Sequence, residues 1–167
     1  QGSVPVVLRV ATRFGRRPAI LEIRQTRRSP PEIEASSTIP LHRRRLQERV
    51  KWLTSADLDL RRFYRLVAPH PIMGPVARSL KGLKPLRPAS LFEMVVIAIT
   101  EQQLSLAAAF HIRGRLVARF GTPCAGLWIF PASEALAEAP LGALMGCGLS
   151  RRKAEYITSF AQRVAEG

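Results

Sequence analysis

Hydrophobic positions change period partway along the chain. From Val4 to Arg13 they alternate, with Val6, Leu8 and Val10 set against Val7, Arg9 and Ala11, and a period of two predicts a strand. Phe14-Gly15-Arg16-Arg17-Pro18 reads as a turn. Ala19 to Gln25 reads as a second strand, with Leu21 and Ile23 on one face and Ile20, Glu22 and Arg24 on the other, so a hairpin is predicted. Residues 27–40 hold three prolines and three serines plus Thr38 and read as a loop.

From Leu41 the period becomes helical. Leu46, Val50 and Leu53 fall on one face, with Arg43, Arg44, Arg45, Arg49 and Lys51 opposite. Thr54 or Ser55 is placed to cap a helix running to Ala68, with Asp57 and Asp59 in its first turn. Pro75 to Leu80 predicts a short helix and 82–88 a connection. Ser90-x-x-Glu93 is a capping box opening a helix over 91–100, and a second helix spans 105–120 up to Gly121. Ser133 is placed to cap 134–139, and Ala143–Met145 continues the helical run. Ser150 is placed to cap a last helix striped by Ala154, Ile157, Ala161 and Val164. The fold class expected is α+β: a small antiparallel β-containing part over 4–52, then a mainly helical bundle over 53–167.

Composition adds a partner. At 47% hydrophobic the chain can bury a core, and its net charge of +14 points to a polyanion, nucleic acid first. The excess is lopsided: residues 1–90 hold 19 Lys+Arg and 6 Asp+Glu, whereas 91–167 hold 7 and 6. Two cysteines, Cys124 and Cys147, form neither a metal spacing nor a disulfide framework, so a reduced, cytoplasmic and nucleoid-associated protein is expected. No apolar run reaches membrane-spanning length, and no leader pattern is visible; Gln1-Gly2-Ser3 resembles the remnant of a cleaved tag. No metal site and no cofactor are expected: histidines lack ligand spacing, and neither a Gly-rich nucleotide loop nor a nucleophile elbow occurs. His111, amid apolar neighbours, and Trp52, Trp128 and Phe130 read as core residues.

Two motifs carry the candidate chemistry. In Ser90-Leu-Phe-Glu-Met-Val-Val-Ile-Ala-Ile-Thr-Glu-Gln-Gln-Leu-Ser-Leu-Ala-Ala-Ala-Phe110, a polar break at Glu101-Gln102-Gln103 interrupts two apolar helices. Two glutamines there can cap helix ends across a tight turn, or present amides outward. In Gly146-Cys-Gly148-Leu-Ser150-Arg151-Arg152-Lys153, glycines before a capped helix expose backbone N–H groups beside three cations. That arrangement suits a phosphate, although cations in a first turn oppose the helix dipole and need a compensating partner; an ordinary solvated helix start has the same sequence.

These two segments resemble the bacterial 3-methyladenine DNA glycosylase II family, in the helix-hairpin-helix superfamily of base-excision repair enzymes. The resemblance runs over roughly 53–167, through the phenylalanine-acid start, the glutamine-rich turn with Ser-x-Ala-Ala, and the glycine-serine-lysine-alanine helix start. It implies an N-glycosylase that flips alkylated purines such as 3-methyladenine out of double-stranded DNA, damaged or abasic duplex being preferred, without a cofactor. It assigns Gln102, Gln103 and Leu104 to a minor-groove wedge, and Gly148, Ser150, Arg151, Arg152 and Lys153 to a phosphate contact. Some members place leucine where this chain has Gln103. The resemblance also implies a hairpin of the Leu-Pro-Gly-Ile-Gly type and a catalytic aspartate after it; no such hairpin and no aspartate after Asp59 occur here. No catalytic residue is therefore assigned, Glu101 being the one carboxylate beside the turn. The chain alone is expected to be inactive and to need a C-terminal segment or complementing chain. The alternatives are a non-catalytic binder of distorted or abasic DNA, and a basic RNA- or ribosome-associated helical protein.

Overall fold

The computed structural model describes residues 7–28 and 31–167. The expected strand residues Val4–Val6 lie outside them. Contacts divide the chain into two units, one formed by the chain up to Leu41 with Pro88–Gly167, the other by His42–Arg87. The boundary expected between 52 and 53 falls inside the second unit.

In the first unit β1 (Val7–Phe14), β2 (Arg17–Arg28) and β3 (Pro31–Ser37) form an antiparallel sheet in the order β1-β2-β3. The expected hairpin is there, with Val10 opposite Leu21 and Thr12 opposite Ala19. The third strand corrects the loop expected over 27–40. Its Ser and Pro content reads as loop, but an edge strand accepts Pro at its first residue and needs only one pairing partner. Arg13 ties β1 to a second hairpin, β4 (Thr122–Cys124) and β5 (Leu127–Ile129), by donating to the carbonyl of Phe130 at 3.3 Å. That three-residue hairpin is too short to give a periodic signal.

The helices of this unit are α4 (Leu91–Glu101), α5 (Leu106–Phe120), α6 (Ser133–Ala137), α7 (Leu141–Gly146) and α8 (Arg151–Glu166). Val96, Ile112, Leu116, Leu136, Leu144 and Ile157 meet in their core. Phe92 of α4 stacks on Phe160 of α8, with ring centroids 5.5 Å apart. Ala154, Ile157 and Ala161 are buried as the stripe predicts, while Val164 at its end is 40% exposed. Ser133 does not cap α6; Ala132 holds that position and the Ser133 hydroxyl donates to Glu134.

The capping box at α4 is formed. Ser90 Oγ accepts from the N–H of Glu93 at 3.1 Å, and the Glu93 carboxylate accepts from the N–H of Ala89 at 2.9 Å. Burial pushes the Glu93 carboxyl above its ordinary 4.5, against the opposing pull of the Ala89 N–H and the Arg113 charge. The folded state thus favours the protonated acid; the stability it confers is full below the unfolded pKa and is lost as pH rises through the folded one. Glu93→Gln keeps the acceptor and removes the titration. Its melting temperature is expected to gain on the parent by a few degrees as pH is raised from about 4 to about 7. Thermal melts across that range check this, and a constant offset between the two proteins refutes it.

The second unit holds α1 (Arg43–Leu53), which buries Val50 and Leu53, and the neighbouring helices α2 (Arg61–Val67) and α3 (Met73–Ser79), of which α3 buries Gly74 and Ala77. The helix expected from Thr54 or Ser55 begins only at Arg61. Ser55 is buried in a left-handed conformation (φ 51°) and donates to the carbonyl of Pro85 at 2.7 Å, which takes the chain out of the helix. Asp59 then accepts from the N–H of Arg61. Asp57 lies outside the helix and pairs with Arg87 at 3.0 Å.

Candidate functional site

The α4–α5 turn is built by its two flanking caps. Thr100, buried at the end of α4, turns its hydroxyl back to the carbonyl of Val96 at 2.8 Å. Gln102 leaves the helix in an extended conformation, and Gln103 follows at φ 54°. A left-handed glutamine costs on the order of 1 kcal/mol and persists only where its surroundings fix it. Ser105 then caps α5 by accepting from the N–H of Ala108 at 3.3 Å. The whole tip, Gln102 to Ala107, is exposed, and Leu104 and Leu106 are 41% and 65% exposed. So the glutamine side chains face outward, beside two leucines.

Lys153 is what fixes the tip. Its Nζ donates to the carbonyl of Thr100 at 2.9 Å and to that of Gln102 at 2.6 Å. The first turn of α8 thereby places an ammonium on the negative end of α4, where the dipole and the free carbonyls favour a cation. The two motifs, some fifty residues apart in sequence, are joined by this one side chain. It also removes the conflict of cations at the start of α8. Arg151 reaches Glu155 at 3.9 Å, and Arg152 donates to the Tyr156 hydroxyl at 2.8 Å with its guanidinium 5.5 Å from that ring.

Ser150 caps α8 by accepting from the N–H of Lys153 at 3.3 Å. Gly148 precedes it at φ 101°, a conformation natural to glycine. A Cβ there would lie 2.8 Å from Nη2 of Arg115 and 3.1 Å from Ile112. Gly148, Ser150, Arg151 and Arg152 therefore lie together at one helix start, and Arg115 of α5 stands against the same loop. The N–H of Gly148, expected to be open, donates instead to the carbonyl of Met145 at 2.8 Å. Sequence reasoning did not single out Arg115; its spacing on α5 gives no signal, because only the α5–loop packing brings it there.

Glu101 lies 3.2 Å from Arg113, whose guanidinium also covers the Phe110 ring at 4.5 Å. Its carboxylate is thus engaged rather than open. His111 is exposed, not in the core: Ala109, Ile112 and Leu116 form the inward face of α5 and position 111 points away, its Nδ1 2.8 Å from the carbonyl of Ala107. Trp128 is likewise 48% exposed, and Trp52 lies under the Arg87 guanidinium at 4.8 Å instead of in an interior. Phe130 packs against the core as expected. Among the described residues no cluster of His, Cys, Asp or Glu could hold a metal ion, and no helix is long and apolar enough to cross a membrane.

Comparison with known proteins places these features. Residues 96–165, which contain both the turn and the α8 start, match the HhH-GPD superfamily base excision DNA repair protein model. A Bacillus subtilis (strain 168) protein named DNA-3-methyladenine glycosylase is 28% identical over 135 residues, covering 77% of this chain and 45% of the relative. The structure of a 3-methyladenine DNA-glycosylase from Archaeoglobus fulgidus superposes with a TM-score of 0.77 at 26% identity, over 93% of this chain and 55% of that one. A Clostridium acetobutylicum 8-oxoguanine glycosylase/lyase, solved with double-stranded DNA containing cytosine opposite 8-oxoG, shares the fold at a TM-score of 0.65 and 14% identity, over 89% of this chain and 50% of that one. The chain spans about half the length of the relatives it matches. Residues 96–165 thus carry the sequence pattern of the HhH-GPD superfamily of base excision DNA repair proteins.

Proposed function

We propose that the chain forms part of a DNA N-glycosylase of base-excision repair that acts on alkylated purines such as 3-methyladenine. The observation that carries this reading is the exposed, clamped Gln102-Gln103-Leu104 tip within the residues that match the superfamily. A base extruded from duplex DNA leaves a gap in the stack that costs a few kcal/mol. A protruding left-handed turn can enter that gap from the groove. Gln103 fills it, its amide hydrogen-bonding the orphaned partner base, with Gln102 and Leu104 flanking. Ser150, Arg151 and Arg152 hold a neighbouring backbone phosphate through the free N–H groups of the α8 start and guanidinium forks, with Gly148 shaping the loop that presents them. Lys153 acts through the turn and not on phosphate. The partner is double-stranded DNA, with abasic or damaged duplex preferred over intact.

Gln103→Ala is expected to weaken binding to an abasic-site duplex about tenfold, roughly 1.4 kcal/mol, while leaving intact duplex nearly unchanged. Fluorescence anisotropy with the two duplexes at one fixed salt concentration measures it. A protein that prefers RNA and ignores the substitution would instead be the basic RNA-associated alternative. All the readings predict a steep salt dependence, so salt alone separates none of them.

A further inference from the structure

The second unit holds a cavity that the α4–α5 turn does not explain. His42–Arg87 contains 12 Lys+Arg against 3 Asp+Glu, so much of the excess charge of the chain resides there. It lies outside the residues that match the superfamily model. Between α2 and α3 opens a cavity of about 830 Å³, within the range of small-ligand sites. Its floor is apolar, from Val67, Ala68 and the buried Ala77. Gly74 makes the cleft possible: a Cβ there would lie 2.7 Å from the carbonyl of Ala68, so only glycine lets α3 start this close to the end of α2.

One wall is rigid. The Tyr64 hydroxyl accepts from the N–H of Gly82 at 2.8 Å, which holds its ring at the cavity. The rim is cationic: Arg61, Arg62, Arg65, Arg78 and Lys81 all line it. Asp59, the one acid there, is consumed by Arg61 at 2.7 Å. Arg62, Arg65, Arg78 and Lys81 make no ion pair among the described residues. Four like charges around one apolar hollow repel each other, and a multiply charged anion with an apolar body relieves that.

We propose that this cavity binds a nucleotide. Guanidinium forks match phosphate oxygens two at a time, which favours phosphate over a single carboxylate. The apolar floor and the fixed tyrosine suit a flat base, as in sites that take single-stranded nucleic acid by stacking plus charge. The nucleotide is either free or part of an unpaired DNA strand; both present the same chemistry. This site stands independently of the glycosylase reading.

The test uses the whole chain and two probes, a fluorescent ATP analogue and a fluorescein-labelled single-stranded dT octamer. Two variants carry the same charge change: Arg62→Ala/Arg78→Ala at the cavity, and Arg43→Ala/Arg45→Ala on α1. All four residues are exposed, so neither pair disturbs an interior. The cavity variant is expected to lose about tenfold more affinity than the α1 variant for at least one probe. Loss with the ATP analogue identifies a free-nucleotide site; loss with the octamer alone identifies a strand site. Equal loss in both variants, no loss in either, or no binding of either probe overturns the proposal. Retained preference for abasic duplex in the cavity variant keeps that outcome separate from the failure of the glycosylase reading.

Discussion

Gly121→Ala is expected to destabilise the protein by about 3 kcal/mol and lower its melting temperature by roughly 10 °C. The reason is space, not backbone freedom. Gly121 has φ −76° and ψ 176°, which alanine adopts readily. Its hydrogen faces the junction of α5 and β5, where a methyl group would overlap the carbonyl oxygen of Val117 and approach that of Ile129 to 2.7 Å. Both obstacles are main chain. The Val117 carbonyl is held in α5 and by the N–H of Gly121 itself, and Ile129 is paired with Thr122 across the small hairpin. Relief requires moving β5 away from α5, which opens the packing around Ile129, only 4% exposed. Gly114→Ala in the same helix supplies the contrast. A Cβ there meets nothing within 4 Å, and alanine is the better helix former by about 1 kcal/mol, so that variant is expected to melt higher. Equal melting of Gly121→Ala and the parent would show that the α5–β5 contact yields freely.

The same contrast explains what was legible in the sequence. Helices with both a periodic face and a chemical cap were readable: Ser90 and Ser150 mark the starts of α4 and α8, and each hydroxyl accepts the expected backbone N–H. The α5 helix was read from its span, and its Ser105 cap emerges from the structure. Elements fixed by distant contacts were not. Nothing local says that Ser55 takes a left-handed conformation, because the reason is Pro85, thirty residues on. The strand β3 lies in a stretch whose composition favours loop, and its pairing with β2 decides the matter. His111 has apolar neighbours in sequence, yet lies on the outward side of α5. At the candidate site the residues were readable and their connection was not. Gln102, Gln103 and Lys153 each stood out, but the bond from an ammonium in α8 to two carbonyls ending α4 exists only after the bundle forms.

That bond makes Lys153→Met the variant that most sharply separates two roles for one side chain. Methionine retains an unbranched apolar stem and helix propensity, and loses only the ammonium. Two charge-assisted hydrogen bonds disappear, to Thr100 at 2.9 Å and to Gln102 at 2.6 Å, together with the cation at the α4 C-terminus. The Gln102 carbonyl is reached by water and recovers part of the loss, so the expected cost is about 2 kcal/mol rather than the sum of two buried bonds. The larger consequence concerns the tip. Without the clamp, the turn keeps only its flanking Thr100 and Ser105 contacts, so Gln103 is freer to relax from φ 54° and its side chain loses its preset aim. Preference for abasic over intact duplex is then expected to fall about tenfold, as for Gln103→Ala, and the two substitutions together are expected to cost little more than either alone. Lys153→Arg is not expected to rescue the preference, since the longer side chain and planar fork do not reproduce the position of the compact ammonium between the two carbonyls. A phosphate-binding Lys153 predicts a different pattern: intact and abasic duplexes weakened alike, the salt slope reduced by about one, and effects additive with Gln103→Ala. Measuring both duplexes at several salt concentrations, for the two single variants and the double, decides between a lysine that holds DNA and one that holds the turn entering it.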